Sequence, residues 1–172
     1  MRAPERPCAA SNIVLIGMPG AGKSTIGVIL AKLASLDFID TDVLIQSCER
    51  RSLQSIIDSQ GYMALREIEE RILLDLECRD HVIATGGSAV YSRAAMAHLA
   101  ENGVVVFLDV DLATLESRAL DLGRRGVAKH PGQSFAELFE ERHRLYVAYA
   151  DVTVDCRGRT HEMVCTEILG RL

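Results

Sequence analysis

The feature that most constrains the fold of this chain is Gly17-Met18-Pro19-Gly20-Ala21-Gly22-Lys23-Ser24-Thr25, set between two apolar stretches. Residues 17–24 fit the spacing G-x-x-x-x-G-K-[ST]. The run Ile13-Val14-Leu15-Ile16 before it reads as a buried strand, and residues 25–34 after it read as a buried helix. Strand, glycine loop and helix in that order commit the chain to an α/β architecture. Glycines let backbone N–H groups close around an anion where a Cβ would obstruct it. The helix N-terminus adds positive partial charge at the same point. The candidate phosphate cradle is therefore Gly20, Ala21, Gly22, Lys23, Ser24 and Thr25. Lys23 is placed to reach the β- and γ-phosphates, and the Ser24 hydroxyl to ligate Mg²⁺.

The rest of the chain repeats the strand–helix rhythm. Residues 36–39, 81–85, 104–108 and 151–155 read as further strands. Residues 61–79, 91–101, 111–122, 134–149 and 160–171 read as helices, and in the first of these Leu65, Ile68, Ile72 and Leu76 recur at spacings of three and four. Strands alternating with helices imply a parallel sheet covered on both faces. Ligands of such sheets bind at the carboxyl ends of the strands. Those ends carry the glycine loop, Asp40 and Asp42, Gly86-Gly87, and Asp109. Two segments break the rhythm: residues 43–60 predict a small helical flap, and residues 122–134, rich in Gly and basic groups, predict a mobile lid.

Composition excludes several classes. The 172 residues suffice for one domain with a core, and 48% hydrophobic residues exclude a disordered chain. A net charge of −5 with no basic block, few aromatics and no Trp argue against a nucleic-acid surface. Cys8, Cys48, Cys78, Cys156 and Cys165 form no C-x-x-C pair and suit neither zinc nor a disulfide framework, so free thiols in a reducing cytoplasm are expected. Residues 1–10 read as a loose leader with no signal-peptide core, and no apolar stretch reaches membrane-spanning length.

Asp40-Thr41-Asp42 follows the second strand, where two carboxylates can divide metal holding and orientation of an attacking hydroxyl. Arg66 and Glu69 stand one turn apart on the long helix, and alone would be an ordinary surface pair. Gly86-Gly87-Ser88 permits close backbone approach to a ligand. Arg142 by itself would read as a solvated helix face. Taken together with the glycine loop, this set resembles the shikimate kinase family. The residues that carry the resemblance are 17–25, Phe38-Ile39-Asp40-Thr41-Asp42, Arg66-x-x-Glu69, Gly86-Gly87-x-Ala89-Val90, and Arg142-x-x-Leu145-Tyr146 followed by Ala150-Asp151, in the family's order.

The resemblance implies one domain over residues 1–172, a five-stranded parallel sheet of the nucleoside-monophosphate-kinase type, a substrate-binding flap at 43–70 and a lid at 122–134. It implies ATP and Mg²⁺ as cofactors, a small hydroxy-carboxylate acceptor, a monomer, and transfer of the γ-phosphoryl group to a hydroxyl. Asp42 would orient or deprotonate that hydroxyl, and Asp40 with Ser24 would serve the metal. Arg66 and Arg142 would hold the acceptor's carboxylate, with Gly86 and Gly87 beside its ring. Arg118 matches the arginine placed against adenine, and Arg124 or Arg125 the lid arginine that meets the phosphates. Three positions depart from the family's usual pattern: Ser88 replaces a third glycine, Arg125-Gly126-Val127-Ala128 replaces Arg-Pro-Leu-Leu, and His143-Arg144 follows Arg142 where a proline is usual. These departures make homoserine the alternative acceptor, since it too offers a carboxylate and an alcohol. A nucleotide kinase would need a second base pocket, which no motif marks. A regulatory GTPase would need Asn-Lys-x-Asp, which is absent. A non-catalytic ATP-binding module is disfavoured by the intact Lys23, Ser24, Asp40 and Asp42.

Overall fold

In the structure, a computed structural model that describes residues 11–118 and 126–172, the first strand is the middle of the sheet. β1 (Asn12–Ile16) is buried along its whole length, as its unbroken apolar run requires. It pairs in parallel with β3 (His81–Ala84) on one side, Ile13 beside Val82, and with β4 (Gly103–Asp109) on the other, Val14 beside Val105. β2 (Asp37–Asp40) and β5 (Val152–Asp155) complete the five-stranded order β2-β3-β1-β4-β5.

The described residues form eight α-helices around the sheet. α1 (Lys23–Ala34) and α8 (His161–Arg171) pack on each other, α1 also against β1, β2 and β3 and α8 against β5. α4 (Tyr62–Leu74) leans on α5 (Arg93–Glu101), which with α7 (Phe135–Tyr149) covers β4. α7 opens on a capping box in which Ser134 and Glu137 satisfy each other's backbone N–H. α6 is Leu112–Arg118, and the remainder of the helix expected over 111–122 lies outside the described residues.

The flap is two short helices, α2 (Thr41–Glu49) and α3 (Leu53–Gln60). It has its own small core of Ile45, Leu53 and Ile56 against Leu65 and Ile72 of α4. Ala128 completes this core from beyond α6. The lid expected at 122–134 is described only from Gly126, so Arg124 and Arg125 lie outside the described residues. From Gly126 to His130 the chain is irregular and lies on the flap.

One helix is shorter than the periodicity predicts. The apolar spacing runs on through Leu76, but α4 stops at Leu74. The cause is a contact distant in sequence. The Asn12 side chain donates to the Cys78 carbonyl (2.9 Å) and accepts from the His81 amide (3.0 Å). The chain must unwind there to place β3 beside β1, and Leu76 and Cys78 pack on the core as irregular backbone.

Candidate active site

The glycine loop joins the end of β1 to the start of α1 at the carboxyl edge of the sheet. Gly20 (φ 85°) and Gly22 (φ 92°) are in the left-handed region, which only glycine enters freely. Gly22 caps α1 with no side-chain bond, so the first amides of that helix are left to a ligand. Ser24 and Thr25 are exposed on the cavity that opens there. The Lys23 ammonium donates to the carbonyls of Gly17 (2.7 Å) and Met18 (3.0 Å). Burial pulls its pKa down to about 8, against the opposing pull of Asp42.

A cavity of about 490 Å³ runs from this loop to the inner side of α7. Its wall includes Lys23, Asp42, Glu69, Gly87, Ser88 and Arg142. Arg118 lines the loop end and donates to the Gly20 carbonyl (3.0 Å), so the C-terminal end of α6 is tied to the phosphate loop.

Asp40 and Asp42 divide as their positions on the chain dictate. Asp40 ends β2 and caps α2, its Oδ1 accepting from the amides of Asp42 (3.0 Å) and Val43 (3.2 Å). Asp42 sits in the first turn of α2, and burial raises its pKa although Lys23 pulls it down. Asp42 lines the cavity and Asp40 is set back behind it.

Arg142 is the largest fully buried side chain, 1% exposed, yet no carboxylate among the described residues pairs with it. Its Nη2 donates to the Ala128 carbonyl (2.6 Å), its Nε lies 3.4 Å from the Tyr91 hydroxyl, and its Nη1 stands beside the Cα of Gly87. Arg66 approaches the same carbonyl from α4 (3.4 Å) and lays its guanidinium over the Tyr91 ring, 3.5 Å from the centroid. It faces a neighbouring cavity with Tyr62 and His130, and not the wall of the first. The two arginines expected to act together are thus brought to one carbonyl and one ring.

The turn after β3 is equally specific. The Gly86 amide donates to the Thr41 hydroxyl (3.0 Å), so it serves the frame of the site. A Cβ at Gly86 would stand 2.2 Å from Glu69 Oε1 and 2.7 Å from Asp42 Oδ1, so two carboxyl groups close on a position only glycine can fill. Glu69 is 3% exposed, and Ser88 Oγ donates to its Oε2. Burial, and then the nearby Asp42, push the Glu69 pKa up to about 7. The Gly87 carbonyl accepts from the Tyr146 hydroxyl (2.7 Å), which fixes the turn to α7.

Sequence patterns marked Ser88 and Ala128 only as departures from the family's pattern, and did not mark Tyr91 or His161. His161 opens α8 and lines the cavity near Gly22, where the turn after β5 returns it to the phosphate loop. The four cysteines among the described residues are unpaired. No cluster of three or more His, Cys, Asp or Glu side chains among them could hold a metal. No helix among them is long and apolar enough to cross a membrane.

Sheet order, phosphate loop and a cavity that places a carboxylate opposite that loop make this a P-loop kinase acting on a small molecule. The family model described as shikimate kinase matches residues 19–172. The chain is 38% identical over 162 residues to a shikimate kinase of Rippkaea orientalis, covering 92% of this chain and 86% of that one. It is 33% identical over 162 residues to a shikimate kinase of Persephonella marina, covering 94% and 98%. Among solved structures, shikimate kinase from Acinetobacter baumannii in complex with shikimate superposes with a TM-score of 0.85 at 29% identity, covering 94% of this chain and 92% of that chain. The chain belongs to the shikimate kinase family.

Proposed function

We propose that this protein transfers the γ-phosphoryl group of ATP to a ring hydroxyl of shikimate. The observation that carries the reading is Arg142: a buried guanidinium without a carboxylate partner among the described residues, in one cavity with Lys23 and Asp42. An unpaired buried cation is unfavourable unless an anion joins it, and a bidentate carboxylate is the anion that fits a guanidinium best. An acceptor held there by its carboxylate turns its far side toward Asp42 and the phosphate loop. The relatives' names and the shikimate-bound neighbour support the same acceptor. Homoserine finds no support in these relatives.

The residues divide the work as follows. The amides from Gly20 to Thr25 cradle the phosphates, and Lys23 neutralises charge on the transferring group. Asp42 orients the acceptor hydroxyl and takes its proton. Arg142 holds the carboxylate, Arg66 joins it by turning from the Tyr91 ring toward that cavity, and Gly87 borders the acceptor's ring. Arg118 lies at the nucleotide end. The lid over 122–134 closes the site, with Arg124 or Arg125 reaching the phosphates.

Mg²⁺ fits the donors present. Ser24 offers one hydroxyl at the loop, and Asp40 keeps Oδ2 clear of its capping bonds. One hydroxyl and one carboxylate acting through water, with no all-protein cage, suit an ion bound mainly by phosphates. Bound there, Mg²⁺ would offset charge on the β- and γ-oxygens. Action as a cytoplasmic monomer belongs to the same proposal.

A coupled ADP-release assay tests the reading with shikimate, its carboxamide, homoserine and no acceptor. Turnover is expected with shikimate and is weak with the carboxamide. A homoserine kcat/KM tenfold above that for shikimate overturns the acceptor and leaves the kinase standing.

A further inference from the structure

Tyr91 touches both arginines of the acceptor site. It ends the single turn Ala89–Tyr91 and is half-buried, with the Arg66 guanidinium over its ring. A guanidinium laid on a ring face keeps its N–H groups free in its own plane. Arg66 still presents that edge: Nη2 approaches the Ala128 carbonyl (3.4 Å), and Nε is buried with no hydrogen-bond partner. The Tyr91 hydroxyl lies 3.4 Å from Arg142 Nε and donates to Glu141 Oε1 at 2.6 Å. One hydroxyl thus separates a buried guanidinium from the carboxylate of the residue before it on α7. The other oxygen of Glu141 accepts from Gln133 Nε2 (2.7 Å), and the Gln133 amide oxygen accepts from the His130 amide (3.3 Å). Glu137 faces the same neighbouring cavity as Arg66, but the capping box of α7 holds it. Among the described residues, no carboxylate lies within ion-pair distance of Arg66 or Arg142.

We propose that Tyr91 is a positioning residue of the acceptor site: its ring keeps Arg66 beside Arg142, and its hydroxyl keeps Glu141 from neutralising either arginine. Glu141 shares a cavity with Arg66 and stands one hydroxyl away from Arg142, so it is placed to compete with a carboxylate on the acceptor. The Tyr91 hydroxyl is the main cause that holds the Glu141 carboxyl below its usual range, so this competitor is an anion at neutral pH. Left without its donor, such a carboxylate would form a charge-assisted pair with the guanidinium beside it. With both oxygens occupied by neutral donors, it leaves the arginines to a ligand. The ring does the complementary work. Two guanidinium groups side by side repel each other. The ring face holds Arg66 there with no anion for a ligand to displace, until the acceptor's carboxylate draws it in. The inference rests on the proposed carboxylate-bearing acceptor and deepens it.

The test measures shikimate and its carboxamide with Tyr91→Phe, Glu141→Gln and the two combined. Tyr91→Phe keeps the ring and removes the hydroxyl, which releases Glu141 toward the arginines. KM for shikimate should rise by roughly fivefold or more, the scale of one ion pair formed in the free enzyme. In the same variant kcat, KM for ATP and kcat/KM for the carboxamide should stay within threefold of wild type. Glu141→Gln alone should keep KM for shikimate within threefold, and combined with Tyr91→Phe it should bring that KM back to the same range. A mere loss of packing at Tyr91 would persist in the double variant and would weaken acid and amide together. Tyr91→Leu removes the ring as well, so Glu141→Gln should recover only part of its loss, and full recovery there would overturn the part given to the ring. The inference is overturned if KM for shikimate is unmoved in Tyr91→Phe, or if Glu141→Gln does not restore it. If wild type turns over no shikimate at all, the proposed acceptor falls and this inference with it.

Discussion

Lys23 is held by two loop carbonyls and its charge is weakened by burial, so its function depends on an anion arriving to replace those partners. Lys23→Ala is expected to remove turnover while thermal unfolding stays cooperative, and near wild-type kcat in that variant would dismiss the loop as the phosphate site. Asp42→Asn should lower kcat by roughly 10²-fold, the usual scale of general-base and orienting contributions, with ATP affinity largely kept. A collapse of ATP affinity instead would assign Asp42 to the metal. Arg142→Lys keeps the charge but loses the fork, and should raise the acceptor KM roughly tenfold or more. An unchanged KM would remove carboxylate recognition. That Lys23, Asp42, Gly87 and Arg142 line one cavity was legible, because each stands in a motif whose spacing survives in sequence. The roles of Ser88, Ala128 and His161 were not, because they arise from contacts such as Arg142 with Ala128 and Glu69 with Ser88, which no local spacing encodes.

Among the elements, β1, the glycine loop and α1 were the most legible, since an unbroken apolar strand and a helix with buried Ile26, Leu30 and Ala31 leave little choice of period. The end of α4 was not, because the chain beyond it is tied to Asn12 of β1 by contacts distant in sequence. Gly126 teaches a related lesson. In sequence it reads as a source of lid flexibility. In the structure it has φ 69°, and a Cβ there would stand 2.6 Å from the Gln54 amide nitrogen and 2.7 Å from the Leu53 carbonyl carbon. Backbone atoms cannot yield as a side-chain tip can, so this glycine is needed for the chain after α6 to lie on α3. Gly126→Ala is therefore expected to lift that stem off the flap and lower kcat at least tenfold, with KM for ATP within threefold of wild type. Hydrogen exchange at residues 126–130 should rise in parallel. Wild-type exchange and kcat in the variant would show that the contact carries no weight.

On the scale of the whole molecule, gathering Lys23, Asp42, Glu69 and Arg142 around one cavity makes stability depend on pH. The unfolded chain releases the Glu69 proton near 4.5, and the folded chain keeps it to about 7. Between those values the folded state binds more protons, so stability falls as pH rises. Asp42, raised by burial, acts in the same direction. Lys23 acts oppositely and later: the folded chain releases its proton near 8 and the unfolded chain near 10.5, so across that window this group returns stability as pH rises. These groups together place a minimum of their contribution near neutral pH, where a ligand-binding site must hold charges its own fold does not neutralise. Glu69→Gln removes the first slope. Its stability relative to wild type should rise by about 3 kcal/mol between pH 4 and pH 8, the scale set by a shift of this size, while the altered bond to Ser88 moves both ends alike. Urea denaturation of both proteins at pH 4, 6 and 8 measures the difference directly. An advantage that does not grow with pH would mean that Glu69 is charged in the folded protein, and that the pull of Arg142 and Lys23 outweighs its burial.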